Sequence, residues 1–260
     1  MFVSILDKSY NINGTKFTLS DTSLSTFPES ICDLVNLREL WMNDNQIINL
    51  PESIDRLKKL EYLYLFDGQL LNLPQSIGNL ISLKQISLEN NKLENLPESI
   101  SKLVNLEYLF LGHNKYKSLP ESIGNLVKLE YLSLKYNQLT VLPESIGRLL
   151  NLKELHLHNN QLITLPESIS RLVNLKKLYL GNNLLTILPA SILNIKYSLT
   201  IDTSSYEINN LSPDIDFLIF YWLDEELTNL PTGLKEIWIR TEMSGLNHKL
   251  PFGCVIKYYE

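Results

Sequence analysis

Proline follows a bulky apolar residue at Pro28, Pro51, Pro74, Pro97, Pro120, Pro143, Pro166 and Pro189, each 23 residues after the last. A repeat this strict leaves few folds open. One unit is too short to bury its apolar face alone, so neighbouring units must stack and share a continuous core. Residues 14–197 hold eight such units.

Two periods coexist within a unit. In Leu155, His156 and Leu157 apolar residues alternate, the mark of a strand with one buried face. After the proline, Ile169, Leu172 and Leu175 recur every three residues, which suits a short 3₁₀ or α turn. The Pro-Glu-Ser opening suits a first turn, where a missing donor is harmless and an acid meets the positive end. Strands are narrower than helical turns, so the stack must curve. The expected fold class is an α/β solenoid, a horseshoe with a parallel β-sheet on its concave face and short 3₁₀/α turns on its convex face.

Asparagine recurs six residues before the proline, at Asn45, Asn91, Asn114, Asn137, Asn160 and Asn183. The chain leaves the strand there, and backbone groups turn inward without ladder partners. A buried amide that donates and accepts spares about 1–3 kcal/mol per group left unsatisfied. Two units depart, with Thr22 and Gly68. A hydroxyl can stand in at Thr22. No side chain can at Gly68, so either a local weak point in that turn or a water in the amide's place is expected.

The stretch NLKELHLHNNQLITLPESI resembles the leucine-rich repeat family, in its 23-residue LPxxIxxLxxLxxLxLxxNxL class, found in Ras-pathway scaffold proteins and plant intracellular Ras-group repeat proteins. The resemblance covers roughly 14–197. It implies a protein-binding horseshoe, with small GTPases or kinases as the partner classes by family analogy.

The ends differ from the middle. Residues 1–13 are too short for a unit, and Phe2, Val3, Ile5 and Leu6 are expected to cover the exposed first repeat. Beyond Pro189 the prolines fall at Pro213, Pro231 and Pro251, and strand-like runs remain at 199–201, 217–222, 237–239 and 255–257. Residues 198–260 read as degenerate, shorter repeats that continue the sheet and cap it; LPTGLKEIWI and LPFGCVIKY resemble the shorter FNIP-type repeats. Trp222 and Trp238 are expected as partly buried cap residues. No Pro/Gly/Ser-rich linker interrupts the chain, so 1–260 is read as one domain.

Composition excludes several functions. A net charge of -6 supplies no broad field for nucleic acid or an anionic membrane, and neither is expected as a partner. Two cysteines, Cys32 and Cys254, exclude a disulfide framework. No basic region precedes an apolar run at the start, and no apolar stretch is long enough to span a bilayer, so an intracellular, cytoplasmic location is expected. Walker, GxGxxG, GxSxG, HExxH and CxxC motifs are absent, so no catalytic residue or cofactor is assigned and an enzyme is not expected. Cys32 sits where other units carry Asp55, Gly78 or Ser101, a tolerant convex position. Glu29, Glu52, Glu98, Glu121, Glu144 and Glu167 share one slot and form a solvated convex row.

Residues twelve, ten and eight before each proline face the hollow of the horseshoe. They give Glu39, Trp41 and Asn43, then Tyr62, Tyr64 and Phe66, then Gln85, Ser87 and Glu89. Next come Tyr108, Phe110 and Gly112, then Tyr131, Ser133 and Lys135, then Glu154, His156 and His158, then Lys177, Tyr179 and Gly181. Two aromatic patches result. Trp41, Tyr62, Tyr64 and Phe66 form one; Tyr108, Phe110 and Tyr131, continued by His156, His158 and Tyr179, form the other. A polar saddle at Gln85, Ser87 and Glu89 divides them, and Glu39, Glu89, Lys135, Glu154 and Lys177 form a charged rim. Crowded aromatics inside a charged rim are interface anatomy. The function expected is therefore non-catalytic protein–protein interaction on the concave face. A second reading places a small ligand, glycan or metal at the histidines. Ser133, Lys135 and Tyr136 lie between His113 and the pair His156 and His158, and only Glu154 adds a carboxylate, so no metal ligand set is assigned. A third reading is a structural unit that assembles with itself.

Overall fold

The computed structural model describes residues 2–6, 8–185, 189, 200–202, 217–220, 230, 232–240 and 250–259. Trp222 lies outside them. The chain opens with an antiparallel hairpin of β1 (Phe2–Ile5) and β2 (Lys8–Asn11). One strand per repeat follows: β3 (Lys16–Thr18), β4 (Glu39–Trp41), β5 (Tyr62–Tyr64), β6 (Gln85–Ser87), β7 (Tyr108–Phe110), β8 (Tyr131–Ser133), β9 (Glu154–His156) and β10 (Lys177–Tyr179). The sheet continues through β11 (Thr200–Asp202), β12 (Phe217–Phe220), β13 (Glu236–Arg240) and β14 (Val255–Tyr259). All twelve strands from β3 to β14 are parallel and adjacent in chain order.

Every described convex turn is 3₁₀, and the reason is visible in the spacing. Ile169 N–H donates to Pro166 O, Leu172 to Ile169 O and Leu175 to Leu172 O, at 3.1, 3.1 and 3.0 Å. A run of i→i+3 bonds places every third side chain on one face. That face is the core, and Ile169, Leu172 and Leu175 are fully buried. The proline before each turn holds φ near -68° to -75° and sits where no N–H is needed.

The strand leucines point at the same core. Leu40, Leu63, Ile86, Leu109, Leu132, Leu155 and Leu178 are all 0% exposed. In-register pairing places equivalent residues side by side, so the core is a set of ladders running the length of the stack. At the start, Ile5 is buried in this core, while Leu6 is half exposed rather than part of the cover expected of it. Its φ of 49° turns the hairpin corner and points the side chain away.

The convex surface is more tightly connected than its composition suggests. Glu52 accepts the backbone N–H of Ser76, and Glu121 that of Ser145, so an acid in one turn satisfies an open donor in the next. Glu29 accepts the hydroxyl of Ser53. Cys32, expected at a tolerant position, is completely buried between turns, and burial raises its thiol pKa.

Candidate functional site

The asparagines set the floor of the concave wall. Asn114 Nδ2 donates to Leu88 O, Leu111 O and Gly112 O, while its Oδ1 accepts the Leu93 N–H at 3.0 Å. Asn45, Asn91, Asn137, Asn160 and Asn183 bond in the same way, each amide crossing from its own turn to the preceding repeat. Thr22 joins the series through its hydroxyl, which donates to Asn45 Oδ1. Gly68 contributes no amide. The buried Ile47, whose N–H stands where its counterparts meet an asparagine Oδ1, has no such acceptor.

The residue before each ladder position holds positive φ: Asp21, Asp44, Asp67, Asn90, His113, Tyr136, Asn159 and Asn182 all lie at 52–58°. Asp and Asn tolerate this region; Tyr136 is an unusual occupant. Its ring is stacked on His113, centroids 4.2 Å apart and 13° from parallel. Tyr136 was not singled out from the sequence, although its place before a ladder asparagine is a readable signal.

Ring contacts along the concave wall are extensive. Trp41 and Tyr64 stack at 3.8 Å. Phe110 and Tyr131 lie 4.8 Å apart, Tyr131 and His156 4.9 Å, and His156 and Tyr179 4.2 Å. Tyr108 leans toward Tyr131 at 6.5 Å. His158 meets His156, Tyr136 and Tyr179 edge-on. Trp41, Tyr62, Tyr64, Phe66, Phe110, Tyr131, His156, His158 and Tyr179 are all half-buried, and Tyr108 is exposed.

Several sequence expectations change here. The histidines are not simply displayed on the concave rows: ring contacts cover much of His156 and His158, and desolvation pushes the His158 pKa down to about 4 and lowers those of His156 and His113. Burial likewise raises the pKa of Tyr131 to about 12. Asn43 is not a contact residue: it is 5% exposed, and its Oδ1 accepts the Phe66 N–H. Ser133 is also covered, at 1%. The charged rim is paired off, with Lys16 on Glu39, Lys135 on Glu89 and Lys177 on Glu154 at 3.1, 3.3 and 3.0 Å. Lys16, unremarked in the sequence, also lies 4.9 Å over the Trp41 ring. Trp238, expected in a cap, stands in register with the concave row, its indole N–H donating to Glu236.

The saddle is not a divider. It floors a hollow of about 440 Å³ walled by Trp41, Tyr64 and Phe66 on one side and Phe110, His113 and Lys135 on the other. The two aromatic patches therefore open on one shared depression. Among the described residues no three His, Cys, Asp or Glu side chains converge in a way that could hold a metal ion.

Comparison with known proteins agrees with this architecture. Models described as leucine-rich repeat match residues 36–57, 58–116, 81–139 and 128–185. None of the curated protein sequences matches. A leucine-rich repeat protein of Leptospira interrogans is 30% identical, with a TM-score of 0.63 over 92% of this chain and 67% of that one. The ectodomain of the Arabidopsis thaliana membrane receptor kinase GASSHO1/SCHENGEN3, in complex with CASPARIAN STRIP INTEGRITY FACTOR 2, shares the fold at 24% identity and a TM-score of 0.64. That alignment covers 92% of this chain and 31% of the receptor. With its ladder asparagines, its proline-led 3₁₀ turns and its matching repeat models, the chain belongs to the leucine-rich repeat family.

Proposed function

We propose that the chain is a non-catalytic interaction module that docks a partner protein on its concave wall. The observation that carries this reading is the run of exposed and half-buried rings from Tyr108 to Tyr179, together with Trp41, Tyr64 and Phe66, on a wall whose rim carboxylates Glu39, Glu89 and Glu154 are each paired with a lysine. Rigid aromatics lose little conformational entropy on binding and supply large contact area, so they serve as anchors. The framework beneath them is fixed by the core and the asparagine ladder, so little ordering is needed when a partner docks. Leucine-rich repeat proteins generally bind other proteins, and the complex of the Arabidopsis ectodomain supports the same use of the fold. Within this reading the chain acts inside the cell, and small GTPases and kinases are the first partners to test.

The test is affinity capture followed by mass spectrometry, comparing the native chain with Tyr64→Ala, Phe66→Ala, Tyr108→Ala and Phe110→Ala combined. Proteins held by the native chain are expected to be lost by the variant. If a variant with native circular dichroism retains the same set, docking on the concave wall is wrong.

A further inference from the structure

The row ten residues before each proline forms a ladder of stacked groups. Register places Trp41, Tyr64, Ser87, Phe110, Ser133, His156 and Tyr179 side by side on successive strands. Two rungs carry serine instead of a ring. They are not equivalent. Over Ser133, Tyr131 leans across and fills the gap, touching Phe110 on one side and His156 on the other. Over Ser87 the corresponding residue is Gln85, and the space is the hollow described above.

The dimensions of that open rung are set by the sheet. Tyr64 and Phe110 are two strands apart, about 9.6 Å at a spacing of about 4.8 Å. With each ring over its own strand, a flat group lying midway has about 4.8 Å to each, close to the separation that Tyr131 keeps from its own two neighbours; Tyr64 leans toward Trp41, at 3.8 Å, which widens the rung further. A planar π group or a guanidinium fits this space.

Charge selects between them. Glu89 and Asp67 line the hollow. Each carboxylate already has one neighbour, Lys135 and Asn90 respectively, and each keeps acceptor capacity for a second. Asp21 and Asp44 precede Asp67 at the same exposed corner of the two preceding repeats. A neutral ring gains at most an uncharged hydrogen bond from these carboxylates, through a phenol or indole donor. A guanidinium gains both stacking and a charge-assisted hydrogen bond.

We propose that the open rung over Ser87 is a binding slot for one arginine side chain of the partner protein, stacked between Tyr64 and Phe110 and held at its end by Glu89 or Asp67. This rests on the concave docking reading and specifies its central contact. Arginine is suited because its flat fork both stacks and pairs with a carboxylate, which a lysine ammonium cannot do.

The experiment uses acetyl-arginine amide as the probe, titrated into the full chain and followed by NMR of the Tyr64 and Phe110 rings and the Ser87 amide. Shifts are expected at these three residues, with arginine side-chain protons moved upfield by the flanking rings. Acetyl-citrulline amide, equally flat but neutral, should bind about tenfold more weakly, and acetyl-lysine amide likewise. Ser87→Tyr should fill the rung, abolish the shifts and leave the melting temperature unchanged or higher. No shift at these residues, shifts that persist in Ser87→Tyr, or tighter binding of acetyl-tyrosine amide than of the arginine probe would each overturn the slot. The two readings fail separately. Partners lost by the four-alanine variant but kept by Ser87→Tyr remove the slot alone; partners kept by both remove concave docking.

Discussion

Lys135 reaches across an intervening strand to Glu89, its ammonium 3.3 Å from the carboxylate. The crossing works because the residue between them is Gly112. A Cβ at that position would lie 2.9 Å from Lys135 Cγ and 3.0 Å from Glu89 Oε1. The glycine thus leaves a channel for the lysine stem, and the pair closes one side of the hollow over Ser87.

Gly112→Val is expected to displace Lys135 and open that side of the hollow, with a stability loss within about 1 kcal/mol because the pair is partly solvated. Lys135→Met and Glu89→Gln in a double-mutant cycle should give a coupling energy of about 0.5 kcal/mol. Urea titration measures both. A coupling energy indistinguishable from zero would remove the ion pair as an organiser of the hollow.

The asparagine ladder makes two opposite predictions. Asn114→Ala removes three donor contacts and strands the buried Leu93 N–H, at a cost of about 1–3 kcal/mol. Gly68→Asn supplies the missing amide to Ile47 and should gain about 1 kcal/mol. A Cβ at Gly68 lies 2.6 Å from Asn91 Oδ1, so the neighbouring amide must shift to admit it. Thermal unfolding of the two variants should move in opposite directions; a destabilised Gly68→Asn would mean that Asn91 cannot give way.

Tyr116 occupies the slot that Leu70, Leu93, Leu139 and Leu162 fill in other repeats. It is fully buried, and its hydroxyl has no hydrogen-bond partner among the described residues. Tyr116→Phe keeps the ring and deletes the stranded group. The variant should be more stable by about 1 kcal/mol, read as a higher midpoint in guanidinium with an unchanged slope.

The histidines make stability depend on pH. His113, His156 and His158 have folded pKa values below their ordinary value, mainly through desolvation, with Lys135 adding to each and Glu154 opposing the shift at His156. The unfolded chain therefore takes up protons first as pH falls. Stability is expected to be full above about pH 6.5 and to decline toward about pH 4, the folded value of His158. In His158→Phe the decline should be shallower. Melting temperatures across this range that ran parallel for the native chain and the variant would show that His158 does not carry the effect.

Much of this molecule could be read from one repeat. The interval of 23 residues dictates stacked units, the spacing of Ile169, Leu172 and Leu175 dictates a 3₁₀ turn, and alternation in 155–157 dictates which strand face is buried. These are local relationships, fixed by backbone geometry and by the need to hide apolar surface. The concave rows and the ladder asparagines follow from the same register, since a strand has only two faces. What the sequence left open were contacts between different repeats. Nothing in the chain order says that Tyr131 lies over Ser133 while Ser87, only 6% exposed, lines an open hollow, that Lys135 passes Gly112 to meet Glu89, or that His156 is sandwiched between Tyr131 and Tyr179. Those outcomes depend on rotamers chosen against neighbours 23 or 46 residues away, about 4.8 Å or 9.6 Å across the sheet. The repeat established the wall; side-chain packing between repeats decided where the wall is filled and where it is hollow.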